Sequence, residues 1–99
     1  MNINITEKAQ KELKKIMEEN KENKKLLRIY IAGYGWGGPS FGLALDELKD
    51  GDKKVEVGGF TFLIEKDLAD TFKGFTIDYN DNWLRRGFSI IPKKGGSHC

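Results

Sequence analysis

Apolar residues recur at helical spacing near the start of the chain, and residues 6–20 are predicted to form one amphipathic helix. Thr6 can cap this helix, and Glu7 lies in its first turn, where a negative charge is favourable. A polar connector, residues 20–25, follows. The apolar stripe of the helix consists of Ala9, Leu13, Ile16 and Met17.

Beyond residue 25 the apolar residues alternate with polar ones, which is typical of half-buried strands. Gly58-Gly59 predicts a tight hairpin turn, and residues 65–72 are predicted to form a short helix. A last strand, residues 84–91, is expected to end at Pro92. The other predicted strands contain Leu27, Ile29 and Ile31; Phe41, Leu43 and Leu45; Val55 and Val57; Phe60, Phe62 and Ile64; and Phe75, Ile77 and Tyr79.

One helix followed by about six strands, with a short helical insertion, predicts an α+β fold. We expect the N-terminal helix to pack on a mostly antiparallel β-sandwich or flattened barrel. Because 99 residues suffice for a single core, residues 1–92 are predicted to form one domain. Residues 93–99 contain two glycines and no apolar residue before the final cysteine, so we predict a flexible cysteine-bearing tail.

The densest cluster of glycine lies between the first two predicted strands. Residues 33–42 contain five of the chain's twelve glycines, and we expect a loop there. Gly35, Gly37 and Gly38 are expected to shape this loop around Trp36. An exposed tryptophan is costly without a purpose, which indicates a candidate site.

Two catalogued motifs match this segment by spacing alone. Gly33, Gly35 and Gly38 fit G-x-G-x-x-G, but that dinucleotide fingerprint must open a helix and here a predicted strand follows. The segment also fits G-x-S-x-G, whose serine needs a strand–turn–helix geometry and a histidine base. The only histidine, His98, lies in the predicted tail. Both motifs are rejected, and no catalytic residue is predicted.

The charge balance excludes several classes of partner. The 17 Lys and Arg residues against 15 Asp and Glu give a net charge of +2, so neither nucleic acid nor a membrane surface is expected as a partner. No apolar run approaches the roughly 20 residues of a membrane span. With one cysteine the chain cannot form an internal disulfide, and we expect a cytoplasmic protein.

The C-terminal pair His98-Cys99 places a thiol beside an imidazole, which is a candidate soft-metal or redox group. Zinc and iron–sulfur sites usually use about four ligands, so two adjacent side chains cannot complete a site alone. From this local pattern, an inert tail thiol explains Cys99 better.

Several short segments occur in an order that is more specific than any one of them. They are Ile-Thr-Glu-Lys-Ala at residues 5–9, Leu-Arg-Ile at 27–29, Ser-Phe-Gly-Leu-Ala-Leu-Asp at 40–46, the alternating strands, and Gly-Phe at 87–88 before the cysteine-bearing tail. In this order they resemble the HesB/IscA family of A-type iron–sulfur carriers, over residues 3–99. Gly-Gly-Pro-Ser-Phe-Gly at residues 37–42 resembles a branch of that family that includes selenocysteine-containing members.

The resemblance implies a HesB-like domain with a role in iron–sulfur cluster assembly. Family members carry one cysteine in the glycine loop and two in a C-terminal C-x-C pair, and paired subunits gather iron or a cluster on them for acceptor proteins. Here Trp36 and Ser97 occupy two of these positions, and Cys99 occupies the third. The resemblance thus implies a homodimer or larger homo-oligomer, iron–sulfur acceptor or assembly proteins as partners, and a carrier or binding protein rather than an enzyme.

The reduced ligand set bears on the cofactor. Two subunits would offer two Cys99 thiolates, to which two His98 imidazoles could add, but not the four thiolates of a standard cluster. The resemblance implies iron or an iron–sulfur cluster as the cofactor. The small ligand set also allows a chain that binds neither.

Trp36 suggests a further hypothesis, because the tryptophan codon is one base from both cysteine codons and from the stop codon that encodes selenocysteine. An indole N–H only donates and cannot replace a metal-binding thiolate. We therefore hypothesise that the natural residue at position 36 is cysteine or selenocysteine.

Three interpretations of function remain. The first is a diverged HesB/IscA-like protein that binds metal or a cluster, or acts through thiol or native selenol redox chemistry, at the Trp36 loop and Cys99. The second is an interaction or scaffold protein that binds no metal and uses the Trp36 loop as an interface anchor. The third is a small redox protein in which Cys99 forms an intermolecular disulfide.

Overall fold

Seven strands and two helices make up the part of the chain that the computed structural model describes, residues 1–20, 26–83 and 85–94. The predicted long helix and the short helical insertion are both present. In chain order the elements are β1 (Asn2–Ile5), α1 (Glu7–Glu19), β2 (Leu26–Gly35), β3 (Gly38–Asp46), β4 (Asp52–Val57), β5 (Phe60–Glu65), α2 (Lys66–Thr71), β6 (Phe72–Asn82) and β7 (Arg85–Lys94).

The strands form two sheets. One has the order β1-β6-β7 and the other the order β3-β2-β5-β4. The pairs β1–β6 and β2–β5 are parallel, whereas β2–β3, β4–β5 and β6–β7 are antiparallel. This arrangement confirms the predicted α+β class with a mostly antiparallel sandwich.

Helix α1 packs on the three-stranded sheet through the predicted stripe, in which Ala9 and Leu13 are fully buried. Thr6 fixes the start of the helix: its Oγ1 accepts from the Ala9 N–H at 3.3 Å and donates to Asp78 Oδ1 at 2.7 Å. The Thr6 N–H also donates to the Ile77 carbonyl oxygen at 3.0 Å. The Thr6 hydroxyl lowers the pKa of Asp78, because it stabilises the charged carboxylate. The cap therefore joins α1 to β6.

The core lies between α1 and the two sheets. Its residues are the buried side chains Ile3, Ala9, Leu13, Leu27, Ile29, Phe41, Phe62, Ile64, Phe75, Ile77 and Ile90. Most of them belong to the alternating apolar sets of the predicted strands.

Strand β1 was not predicted and adds a seventh strand. It lies beside β6 with Asn2 opposite Gly74. A Cβ atom at Gly74 would overlap the Asn2 carbonyl oxygen, so this close approach requires glycine. The pairing thus depends on a glycine some 70 residues away in the chain, which the local pattern does not reveal.

Strand β7 continues past Pro92, where the last strand was predicted to end. Pro92 lies opposite Phe75, and β7 is an edge strand of its sheet. Proline has no N–H to donate, and an edge strand tolerates it. Neither helix among the described residues is both long and apolar enough to cross a membrane.

Candidate functional site

The glycine-rich segment is a long β-hairpin rather than the predicted loop of ten residues. Strands β2 and β3 remain paired as far as Gly35 and Gly38, which leaves Trp36 and Gly37 as a two-residue turn. Gly38 has a φ of 105°, a backbone conformation that side chains rarely adopt, so glycine is required there. Gly35 and Gly37 have no such requirement.

The hairpin tip presents aromatic side chains to solvent. Trp36 is fully exposed and Tyr34 is 79% exposed. A Cβ atom at Gly35, Gly37 or Gly38 would meet no atom within 4 Å, so the tip is surrounded by open space among the described residues. The side chain at position 36 is therefore available to a ligand, a partner or the C-terminal residues.

The root of the hairpin is anchored in the core. The ring of Phe41 lies edge-on to those of Phe72 and Phe75, with centroids 5.3 and 5.0 Å apart, and such T-shaped contacts are favourable. Nearer the tip, Ser40 Oγ donates to the Gly33 carbonyl oxygen at 3.3 Å. The hairpin thus projects from a fixed base.

The described chain ends beside this base. The last strand residue, Lys94, lies opposite Phe72, whose ring contacts Phe41 of the hairpin. Residues 95–99 lie outside the described residues, and with them Ser97, His98 and Cys99. Five residues can span at most about 17 Å, which is comparable with the length of the projecting hairpin.

A charged cluster that the sequence patterns did not reveal joins β2 to the end of β3 and the start of β4. Arg28 Nε donates to Asp46 Oδ2 at 2.6 Å. Its two terminal nitrogens donate to the two carboxylate oxygens of Asp52 at 2.8 and 2.6 Å. The Asp52 side chain is only 3% exposed. This bidentate geometry is among the strongest that a protein ion pair adopts.

The cluster shifts the titration of all three groups. The Arg28 guanidinium lowers the pKa of Asp52, and the same contact raises the pKa of Arg28. The backbone N–H of Glu47, followed by Arg28, lowers the pKa of Asp46. The signal in the sequence is a single arginine within the apolar run of residues 26–32. Since Arg28, Asp46 and Asp52 are all paired within the cluster, we interpret the cluster as holding the strands together rather than as a reactive site.

No group of three or more His, Cys, Asp or Glu side chains that could hold a metal occurs among residues 1–20, 26–83 and 85–94. The described part of the chain contributes the hairpin tip to a candidate site. The candidate ligands His98 and Cys99 belong to the remainder.

Comparison with known proteins gives the family. Residues 1–90 match the family described as iron-sulphur cluster biosynthesis. The SufA protein of Bacillus subtilis (strain 168) is 34% identical over 98 residues, which cover 98% of this chain and 82% of that protein. The iron-sulfur cluster insertion protein ErpA of Nitrosococcus oceani is 35% identical over 96 residues, which cover 96% of this chain and 83% of that protein.

The fold also has a counterpart among solved structures. The crystal structure of IscA with a [2Fe-2S] cluster superimposes with a TM-score of 0.72 and 23% identity, over 94% of this chain and 85% of that one. With its two sheets, its α1 packing and its sequence match over residues 1–90, the chain belongs to the HesB/IscA family of iron–sulfur cluster biosynthesis.

Proposed function

We propose that this protein works in iron–sulfur cluster assembly as a carrier rather than an enzyme, in the cytoplasm. Its metal or cluster is held by Cys99, with His98 as an additional ligand, next to the hairpin tip at position 36. The observation that carries the proposal is the placement of residue 36, fully exposed at the tip of the β2–β3 hairpin in a chain of this family.

The position of the chain end supports a site that combines tip and tail. Lys94 lies beside the aromatic base of the hairpin, and the remaining five residues are long enough to reach along it. The proposed division is a HesB-like domain of residues 1–92 and a cysteine-bearing tail of residues 93–99, of which the first two residues extend β7 beside β6. Thiolates suit the cargo because they are soft ligands that bind and bridge iron.

The small number of ligands supports a homo-oligomer. One chain supplies one thiol, whereas two chains supply two thiols and two imidazoles. A homodimer or larger assembly would hold iron or a cluster between subunits and deliver it to an acceptor protein. Cysteine or selenocysteine at position 36 would raise the number of soft ligands to two per chain.

Anaerobic reconstitution with iron and sulfide tests the metal proposal. Wild type, Trp36→Cys and Trp83→Cys are compared by visible absorption and iron quantitation. Trp83 is the matched control, because it is 85% exposed at the end of the other long hairpin. We expect Trp36→Cys to bind more iron than wild type or Trp83→Cys. Adding Cys99→Ser to Trp36→Cys should remove this gain.

Two outcomes would contradict the proposed site. In one, neither wild type nor Trp36→Cys binds iron. In the other, Trp83→Cys binds as much as Trp36→Cys, so that any added exposed thiol suffices.

The hypothesis about the natural residue at position 36 has its own test. The native gene is sequenced across this codon. A cysteine codon, or an in-frame UGA with incorporation of selenocysteine, would support it. A UGG codon would exclude it.

The exposure of Trp36 and Tyr34 also favours a second function, in which the tip anchors a protein partner or a second copy and no metal is bound. Trp36→Ala should then lower the stability of the oligomer in sedimentation experiments, while Trp83→Ala should not. Unchanged sedimentation of Trp36→Ala would count against this function.

A further inference from the structure

A groove of about 570 Å³, called here the α2 groove, separates helix α2 from the β2–β3 hairpin. Tyr30, Ile31 and Tyr34 line the hairpin wall, and Leu68 and Phe72 line the wall on the side of α2. The three hairpin side chains remain exposed, so no described part of the chain covers that wall. The groove therefore offers an apolar surface to a further segment of polypeptide.

The chain leaves strand β7 at one end of this groove. Lys94, the last residue of β7, lies opposite Phe72, and Phe72 lines the groove. Helix α2 has six residues, which at a rise of 1.5 Å per residue gives a length of about 9 Å. Residues 95–99 can span up to about 17 Å. They are therefore long enough to follow α2 or to reach the hairpin wall.

The free charges of the groove and of this segment are opposite in sign. Glu65 and Asp67 line the groove, are exposed, and form no ion pair with another described residue. Lys66 lies between them in the chain but does not line the groove, and the guanidinium of Arg28 is already paired within its own cluster. Residues 93–99 contain two lysines, one histidine and no acidic residue. Unlike charges thus favour this segment as the occupant.

A second cavity, which Thr71 and Phe72 also line, is the alternative path for the segment. It is lined by Lys73 and Lys93, which would repel a segment that carries lysine and histidine. Its one carboxylate, Asp70, is already paired with Lys53 at 3.9 Å. Of the two cavities that border Phe72, the α2 groove is therefore the better match in charge.

We propose that the α2 groove is the docking site of residues 95–99 of the same chain, with Cys99 against the hairpin wall near Tyr34. Tyr34 is two residues from Trp36, so the docked segment holds the thiol next to position 36. Glu65 and Asp67 are positioning residues, because their charges hold the segment in place. The proposal rests on the site of tip and tail in the proposed function, but it requires no bound metal.

Docking lowers the cost of using Cys99. A free segment loses conformational freedom when its thiol is held in one place, whereas a docked segment has already lost that freedom. The effective concentration of the Cys99 thiol at the hairpin wall is therefore higher than a freely moving segment of this length would give. This concentration can be measured.

The single cysteine of the chain allows the measurement without metal. Tyr34→Cys adds a thiol on the hairpin wall that can form a disulfide with Cys99. Ile91→Cys is the matched control: it adds an exposed thiol on β7, three residues before Lys94 and outside the groove. A freely moving segment would reach both thiols to a similar extent, whereas docking should favour the Tyr34→Cys pair at least about tenfold. Effective concentrations are obtained from disulfide equilibria in glutathione buffers that contain EDTA.

Neutralising one carboxylate tests whether the groove holds the segment. Asp67→Asn, added to Tyr34→Cys, should lower the effective concentration about two- to fivefold, because an exposed ion pair contributes little more than this. Glu56→Gln, at an exposed position of β4 outside the groove, should leave it unchanged. Circular dichroism and urea unfolding verify that each variant is folded.

Three results would overturn the proposal. Equal effective concentrations in Tyr34→Cys and Ile91→Cys would mean that the segment is not held. A disulfide of Tyr34→Cys that joins two chains, seen as a dimer on a non-reducing gel, would mean that the groove holds the segment of a second copy. Equal effects of Asp67→Asn and Glu56→Gln would mean that the carboxylates do not position it.

Iron uptake of Trp36→Cys is measured separately, so that the two proposals fail independently. A docked segment in a protein that binds no iron would contradict the proposed function and support the docking site. Iron held by Cys99 in a protein whose segment is not docked would do the reverse.

Discussion

Single residues decide where two parts of this fold approach each other. Gly74 allows β1 to lie against β6, and Gly42 lies directly beneath the ring of Tyr30. The two positions differ in what a side chain would displace. At Gly42 it would meet the end of the Tyr30 side chain, which can rotate away, whereas at Gly74 it would meet backbone.

Gly74→Ala should therefore destabilise the protein by about 1–3 kcal/mol, the usual cost of overpacking. The free energy of unfolding is measured in urea, and hydrogen exchange of the β1 amides reports whether the strand has detached. Gly35→Ala is the matched control, because its Cβ would enter open space and its φ is not positive. Equal stability of the two variants would show that β1 tolerates the added methyl group.

At the scale of elements, the Arg28 cluster holds three of them together. Arg28 is on β2, Asp46 ends β3 and Asp52 begins β4. One guanidinium on β2 therefore binds the end of β3 and the start of β4. The Lys49 N–H also donates to Asp52 at 2.8 Å. An exposed ion pair in the same protein, Lys53–Asp70 at 3.9 Å, joins β4 to α2 but has neither the bidentate geometry nor the burial of the Arg28–Asp52 pair.

Asp52→Asn leaves the mostly buried Arg28 without its bidentate partner and should cost about 2–4 kcal/mol of unfolding free energy at neutral pH. Asp70→Asn removes a pair in which both side chains are more than half exposed, and it should cost less than about 0.5 kcal/mol. Urea unfolding of the two variants under the same conditions checks the contrast. A similar effect of both changes would mean that the Arg28 cluster stabilises no more than a surface ion pair.

Sequence patterns predicted α1 and the Gly58-Gly59 turn, because each follows from neighbouring residues. The features they missed depend on distant residues. Strand β1 requires the absence of a side chain at Gly74, and the role of Arg28 requires carboxylates 18 and 24 residues away. The pairing of β2 with β5 stops at Ile29, because the chain turns into α2 after Glu65. These features are set by the register of strand pairing and by the points where the chain turns, which patterns of neighbouring residues do not specify.

At the scale of the whole molecule, three carboxylates couple folding to pH. Asp46, Asp52 and Asp78 all have a lowered pKa in the folded protein, and they lie on both sheets or at their connections. A lowered folded-state pKa stabilises the protein above the ordinary pKa of an aspartate, about 3.9. That contribution is lost as the pH falls further, through the folded-state values.

We therefore expect the stability contributed by these groups to be fully present above about pH 5 and to decrease as the pH falls below it. Urea midpoints measured across this range give the slope. Asp52→Asn should have a shallower acid slope than wild type, because it no longer binds a proton on unfolding at this position. An unchanged slope would exclude Asp52 as a contributor.

Because the hairpin tip is exposed, the fluorescence of Trp36 reports what binds there. The chain has two tryptophans, and both are exposed in the structure. Trp83→Phe would leave the indole at position 36 as the sole tryptophan fluorophore, with the emission of a water-exposed side chain. Iron bound by Cys99 beside the tip would quench this emission, and burial of the tip by a partner would shift it to shorter wavelength. Metal loading and docking at the same residue can thus be followed in real time and told apart by the direction of the spectral change.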